Sequence, residues 1–147
     1  MSDEGVEQVG AVELPGQELL EFLLEAVDHA TSRVVPRGGP LVPFAIVDGA
    51  GGSTFHQVVE QDLVLAQEQV RFVVQQETGV RMACVAWDGY VTVDGVRTDA
   101  VFVDGCDDSG EPGYVFVQRY GRAGRFRRSM IVLGNTAVSS RSERLFD

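Results

Sequence analysis

From residue 80 onwards the chain is a succession of four runs rich in valine and aromatic residues, separated by short turns that contain glycine. The runs cover residues 80–93, 96–104, 114–120 and 125–133. Such side chains are typical of strands, and Asp-Gly between two strand-like runs is a strong hairpin signal. Asp94-Gly95 provides that signal. The C-terminal part of the chain is therefore predicted to form antiparallel strands joined by hairpins.

A two-residue turn at Asp94-Gly95 would fix the register of the first hairpin, with Trp87 opposite Phe102. One face would then carry an apolar set, which we expect a pair of helices to cover: Val85, Trp87, Val91, Val93, Val96, Ala100 and Phe102. The other face would be polar near the turn and apolar farther away. Cys84 and Cys106 would point to opposite faces and remain free thiols. A β-bulge at Asp88-Gly89 would exchange the faces beyond it, and the sequence leaves this open.

Two segments before residue 80 have the 3.6-residue period of an amphipathic helix. In residues 17–33 the apolar stripe is Leu20, Leu23, Leu24, Val27 and Ala30, and in residues 60–77 it is Leu63, Ala66, Val70, Val73 and Val74. Residues 41–47 and 54–59 are strand-like and flank a glycine-rich turn. The predicted fold class is α+β: two helices packed on a mostly antiparallel sheet of about six strands, in the order α-β-β-α-β-β-β-β.

A chain of 147 residues has the size of one domain. Residues 1–14 are predicted to be an acidic, partly disordered tail, and residues 134–147 a loose C-terminal tail. The acidic start has neither the basic residues nor the apolar run of a secretory signal, so we expect a cytoplasmic protein without membrane association. The chain is rich in Arg and Val, contains no Lys and has little Ile. Because the codons for Arg and Val are richer in G and C, this composition indicates a GC-rich bacterial genome.

The charge of the chain is unevenly distributed. The formal net charge is −10, yet residues 119–128 hold five arginines and no acid, whereas residues 1–28 hold eight acids and no base. The arginine-rich segment predicts a binding surface formed by Arg119, Arg122, Arg125, Arg127 and Arg128, with Tyr120 and Phe126 interleaved. Guanidinium groups in a row suit carboxylate or phosphate partners. This surface could be a solvated face, a site for an acidic protein or second copy, or a phosphate or nucleic-acid site, which the net charge disfavours.

No established catalytic or cofactor motif stands in the sequence. The glycine-rich turn at residues 49–54 lacks the third glycine and following helix of a dinucleotide site, and residues 104–111 lack EF-hand spacing. We therefore predict no metal and no cofactor. If the chain is an enzyme, its pocket would combine the ionisable residues of the first hairpin and the turn end of the sheet: His56, Asp48, Asp88 and Tyr90.

These observations favour a non-enzymatic binding or interaction module, self-associating as a homodimer or binding another protein. The absence of a catalytic constellation and the separation of acidic from basic segments are the grounds for this hypothesis. An antiparallel sheet with a partly apolar second face also needs a cover, which a second subunit could supply. The small enzyme and the phosphate or nucleic-acid binder remain the alternatives.

Overall fold

The computed structural model describes residues 6–8, 13–124 and 129–147, the first of these segments as backbone. The helices are α1 (Gln17–Ser32) and α2 (Leu63–Gln76). The strands are β1 (Val6–Gln8), β2 (Phe44–Gly49), β3 (Gly52–Gln57), β4 (Val80–Val93), β5 (Val96–Asp107), β6 (Gly113–Arg122) and β7 (Met130–Ser142). All the strands belong to one sheet with the spatial order β1-β7-β6-β5-β4-β2-β3.

The architecture is α+β, as predicted. Six strands, β2 to β7, pair only in antiparallel fashion with one another, and the three-residue β1 adds a parallel partner at the β7 edge. The order of the two helices and these six strands along the chain is the predicted one. Each long strand lies beside its sequence neighbour because short turns join β4 to β5 and β5 to β6.

The β4–β5 hairpin has the predicted register. Asp94 and Gly95 both have positive φ values, 50° and 78°, as a type I′ turn requires, and Trp87 lies opposite Phe102. Pairing continues without a shift through Asp88 and Gly89, so the bulge that the sequence left open does not form. Gly89 has a different role: a Cβ there would lie 2.9 Å from the Phe102 ring, which stacks on Trp87 with 5.5 Å between the ring centroids.

The two helices lie on opposite faces of the sheet, which corrects the expectation that both would cover the Trp87 face. Helix α1 packs with Cys84 and Val101, whereas α2 packs on the face that carries Val85 and Trp87. The physical reason is that the central strands are apolar on both faces away from the turn, so each face needs its own cover. Cys84 and Cys106 accordingly lie in different core clusters, buried and unpaired, as predicted from the register.

Helix α1 approaches the sheet closely. Its buried stripe includes Leu20, Leu23 and Val27, and a Cβ on Gly105 would collide with the Leu23 side chain and lie 2.9 Å from the carbonyl oxygen of Ala83. The outward surface of α1 consists of exposed acids at the positions that the helical period predicts: Glu18, Glu21, Glu25 and Asp28.

Helix α2 begins with a side-chain cap, since an Asp62 carboxylate oxygen accepts hydrogen bonds from the backbone N–H groups of Val64 and Leu65. Its buried residues are Ala66, Val70 and Val74. Arg71 anchors one flank of the helix to the sheet. Its guanidinium lies 3.1 Å from the buried Asp104 carboxylate and 5.2 Å from the centre of the Trp87 ring.

The C-terminal segment differs from the loose tail predicted for residues 134–147. Strand β7 continues to Ser142, and Leu145 and Phe146 are buried against the α2 side of the sheet beside Cys106. These two apolar side chains cover sheet surface that α2 does not reach. Within the predicted N-terminal tail, Val6–Gln8 forms β1.

Replacing Gly105 with alanine should lower the free energy of unfolding by about 1–3 kcal/mol, because the new methyl group overpacks the α1–sheet contact. Chemical denaturation monitored by circular dichroism measures this change. Gly51→Ala is the matched control, since nothing lies within 4 Å of a Cβ at that position. Equal stability of the two variants would contradict the close approach of α1.

Candidate functional site

The distal part of the β4–β5 hairpin extends beyond its neighbours and forms an arm, residues 89–99. Strand β2 pairs with β4 only as far as Ala86, and β6 pairs with β5 only as far as Ala100. Residues 90–99 of the arm thus pair only with each other, and Gly89 pairs with Ala100. Five residues of β4 make it about 17 Å long.

A groove of about 370 Å³ lies where the arm meets β6 and β7 on the α2 side of the sheet. We call it the arm groove. Its lining is mostly apolar or small, from Val91, Thr92 and Val93 of the arm, Val117 of β6, and Ala137 of β7. Arg119, Asn135 and Ser139 are its other lining residues. The groove has the size and composition of a site for a small ligand or for one or two large side chains.

Arg119 is the only charged residue among the described residues that line the arm groove. The side chain is partly exposed, and no ion pair or hydrogen bond joins its guanidinium to any residue that the structure describes. The backbone carbonyl of Arg119 accepts a hydrogen bond from Gln118. A guanidinium beside an apolar surface favours a carboxylate or another anion carried by an apolar group.

An irregular stretch of β7 shapes the floor of the groove. Val117 pairs with Ala137 while Arg119 pairs with Leu133, so β7 carries extra residues between these points. Gly134 has a φ of 71°, and the space that a Cβ would fill there is taken by the Arg119 guanidinium. On the other side of the sheet, the buried Gln118 amide donates to the carbonyl oxygens of Leu133 and Gly134 and accepts from the Thr136 hydroxyl. The bulge is therefore held from both faces.

The base of the arm is fixed on the α1 side by Asp88 and Tyr120. The Tyr120 hydroxyl donates to the Asp88 carboxylate, with distances of 2.8 and 3.0 Å to its two oxygens. Burial raises the pKa of Asp88, with a smaller contribution from Asp99, although the Tyr120 hydrogen bond lowers it. Burial and the neighbouring carboxylate also raise the pKa of Tyr120. This pair joins β4 to β6 across β5, so it holds the arm relative to the groove floor.

The arginine-rich segment is divided between different environments. Arg119 lies in the arm groove, Arg122 is exposed, and Tyr120 is buried at 5% exposure against the α1 side. Tyr120 thus supports the sheet and does not join a binding surface with the arginines. Arg125, Phe126, Arg127 and Arg128 lie outside the described residues.

The four residues considered for an enzyme pocket are not brought together. His56 pairs with Ala45 and shares the α2 side with it, whereas Asp88 contacts Tyr120 on the α1 side. Asp48 pairs with Met82, which is six residues from Asp88 along β4 and therefore about 20 Å away. Tyr90 is exposed on the arm, and the Arg97 guanidinium stacks 4.0 Å from its ring centre.

In the described parts of the chain, these residues make local polar contacts. The His56 ring nitrogen Nε2 lies 3.1 Å from a Glu77 oxygen and 3.1 Å from the Thr54 hydroxyl, and Asp48 accepts from Ser53. Burial raises the pKa of the Cys84 thiol to about 12, which leaves it protonated and unreactive at neutral pH. Among the described residues, no group of three or more His, Cys, Asp or Glu could hold a metal ion.

The sequence indicated Arg119 as a candidate binding residue but did not indicate the groove around it. The apolar lining comes from three strands, and Val91 and Val93 look like ordinary hairpin residues in the sequence. The available signal was Gly134 within a run of strand-forming residues, which is typical of a β-bulge.

Comparison of the chain with models of protein families, with curated proteins and with solved structures found no match. Neither helix in the described part of the chain is both long enough and apolar enough to cross a membrane. The arm groove is therefore interpreted from its own geometry.

Replacing Tyr120 with phenylalanine should lower the free energy of unfolding at pH 7 by about 1–3 kcal/mol, because the half-buried Asp88 carboxylate loses its donor. The pKa of Asp88 is raised above 3.8 in the folded protein, so folding takes up a proton between the two values. Stability from this group therefore falls as the pH rises through that interval. Urea unfolding at several pH values between 4 and 7 measures this change in the free energy of unfolding. Asp88→Asn keeps an acceptor for the Tyr120 hydroxyl and should remove this part of the pH dependence. If the native protein and Asp88→Asn lose stability in parallel as the pH changes, the raised pKa of Asp88 is contradicted.

Proposed function

We propose that the protein is a non-enzymatic binding module whose arm groove takes a protein segment that presents a large apolar side chain next to a carboxylate. The observation that carries this proposal is Arg119, a guanidinium without an acidic partner among the described residues, set into a mostly apolar groove. A buried or half-buried charge without a partner is costly, and a ligand carboxylate would compensate it.

The composition of the groove supports a ligand of mixed character. Val91, Val117 and Ala137 offer apolar contact, and burying one large apolar side chain contributes about 1.5–3 kcal/mol. The Ser139 hydroxyl donates to the carbonyl oxygen of Val115, and its oxygen can still accept from a backbone N–H of the ligand. In sites of this kind, apolar contact usually provides the affinity, and a few polar groups fix the orientation of the ligand.

The charge of the chain favours a protein segment over a nucleic acid. A nucleic-acid site neutralises several phosphates with several basic groups, whereas the described lining of the groove contains one arginine, in a chain of net charge −10. A single carboxylate needs only one guanidinium. A segment with one acid and apolar residues also loses less binding free energy than a polyanion to repulsion by the negatively charged chain.

The dye 1-anilinonaphthalene-8-sulfonate tests this proposal, because it combines apolar rings with one anionic group. We expect saturable binding to one strong site, measured by fluorescence titration. Arg119→Gln should raise the dissociation constant roughly tenfold, the equivalent of one charge-assisted hydrogen bond of about 1.4 kcal/mol. Ala137→Phe should fill the groove and abolish the strong site.

Two controls make the titration specific. Arg122→Gln removes an exposed arginine of the same strand and should leave the dissociation constant unchanged. The uncharged analogue N-phenyl-1-naphthylamine should bind the native protein and Arg119→Gln equally well. If the anionic dye loses no affinity in Arg119→Gln, or loses as much in Arg122→Gln, the groove is not the site.

A further inference from the structure

The outward surfaces of the two helices have opposite character. The surface of α1 is a row of exposed acids, as expected of a helix that faces water. Helix α2 instead exposes large apolar side chains: Phe72 is 60% exposed, Leu65 41% and Val64 70%. Its sequence from Leu63 to Gln76 contains one acid, Glu68, and one base, Arg71. Because Arg71 turns inward to Asp104, Glu68 is the one charge left on the outward surface.

Leu65, Glu68 and Phe72 follow one another at spacings of three and four residues, so they form one stripe along the helix. We call this stripe the α2 ridge. It lies opposite the buried stripe of Ala66 and Val70. Apolar anchors at such spacings are the pattern with which a helix docks into a groove of another protein. The ridge is mainly apolar and carries one acid, whereas the arm groove is mainly apolar and carries one base.

Ridge and groove lie on the same side of the sheet. Helix α2 packs on the face of Val85 and Trp87, and the unbroken register places Val91 on that face as well. Phe102 stands opposite Trp87 and Val117 stands opposite Phe102, which extends this face to the groove floor. The helix packs mainly over β2, β3 and β4, and the groove lies over β6 and β7.

We propose that the partner in the arm groove is a second copy of this chain, which inserts its α2 ridge, so that two identical contacts close a two-fold dimer. This inference rests on the proposed function, since it names the occupant of the same groove. A two-fold axis along the strands, between α2 and the groove, places each ridge over the groove of the other copy. Such an arrangement is closed and does not continue into a filament.

Charge complementarity supports a second copy over an unrelated protein. Glu68 of one copy meets Arg119 of the other, and the symmetry repeats the pair. Both partners lack competing ion pairs in the described residues. The partly buried Trp87–Phe102 stack lies between α2 and the groove, so the dimer also covers the remaining exposed part of this aromatic surface near the axis.

Charge reversal tests the interface. Sedimentation equilibrium of the full chain at 50 mM salt should show a monomer–dimer equilibrium. Glu68→Arg and Arg119→Glu should each raise the dimer dissociation constant roughly a hundredfold, because each places two like-charge pairs in the interface. The matched control Glu25→Arg reverses an exposed acid on α1 and should leave the dissociation constant unchanged.

Mixing the two charge-reversed proteins gives the decisive result. A heterodimer of Glu68→Arg with Arg119→Glu again has opposite charges in both pairs, so the mixture should dimerise about as strongly as the native protein. The double variant should likewise form its own dimer. Trp87 is the only tryptophan, and its emission should shift to shorter wavelength when dimer forms. Failure of the mixture to dimerise while the native protein does so would overturn the ridge-in-groove contact.

The dye titration separates this inference from the proposed function. Phe72→Glu should be monomeric and should still bind the anionic dye in an Arg119-dependent manner, because its groove is intact and vacated by the partner. If the native protein stays monomeric at millimolar concentration while dye binding still depends on Arg119, the inference of a second copy is overturned. The groove would then bind a different partner. Loss of the Arg119 dependence in Phe72→Glu overturns the groove itself.

Discussion

One helix cannot cover one face of this sheet. Seven strands span about 29 Å, whereas a helix with its side chains is about 10–12 Å wide. On one face α1 lies centrally over β4, β5 and β6, and Val34 and Leu41 extend its cover. On the other face α2 lies off centre over β2, β3 and β4. The C-terminal residues and the arm cover part of the remainder, and the arm groove is what they leave. The candidate site is thus a consequence of how little helix this chain has for the width of its sheet.

The arm can form part of the groove wall because both faces of its base are fixed. A two-stranded ribbon with no neighbours is marginally stable by itself. Here the Trp87–Phe102 stack fixes the α2 side, and the Asp88–Tyr120 hydrogen bond fixes the α1 side. Gly89 makes the stack possible, since only a residue without a side chain leaves room for the Phe102 ring. Asp88 and Tyr120, which the sequence assigned to different functional sites, are therefore one structural unit at the root of the arm.

The local structure could be predicted from the sequence, and the long-range arrangement could not. Asp94-Gly95 fixed the register, and with it the Trp87–Phe102 pair and the separation of Cys84 from Cys106, because a turn type determines which residues face each other. The distribution of helices between the faces was not predictable, since each helix has one apolar stripe and both sheet faces offer apolar surface. The groove requires side chains from β4, β6 and β7, and it also depends on a bulge at Gly134 held by Gln118. Periodicity within single segments does not contain that information.

The two sides of the described part of the molecule also differ in charge. Acids concentrate on the outward surface of α1, and the described part of the α2 side has a nearly uncharged helix surface beside an apolar groove. Because like charges repel, two copies cannot approach through their α1 sides without bringing two acidic helices together. Approach through the α2 sides meets no such barrier and removes apolar surface from water. The same distribution of charge that keeps one side hydrated therefore supports the proposed association through the other side, where the ridge and the groove stand next to each other.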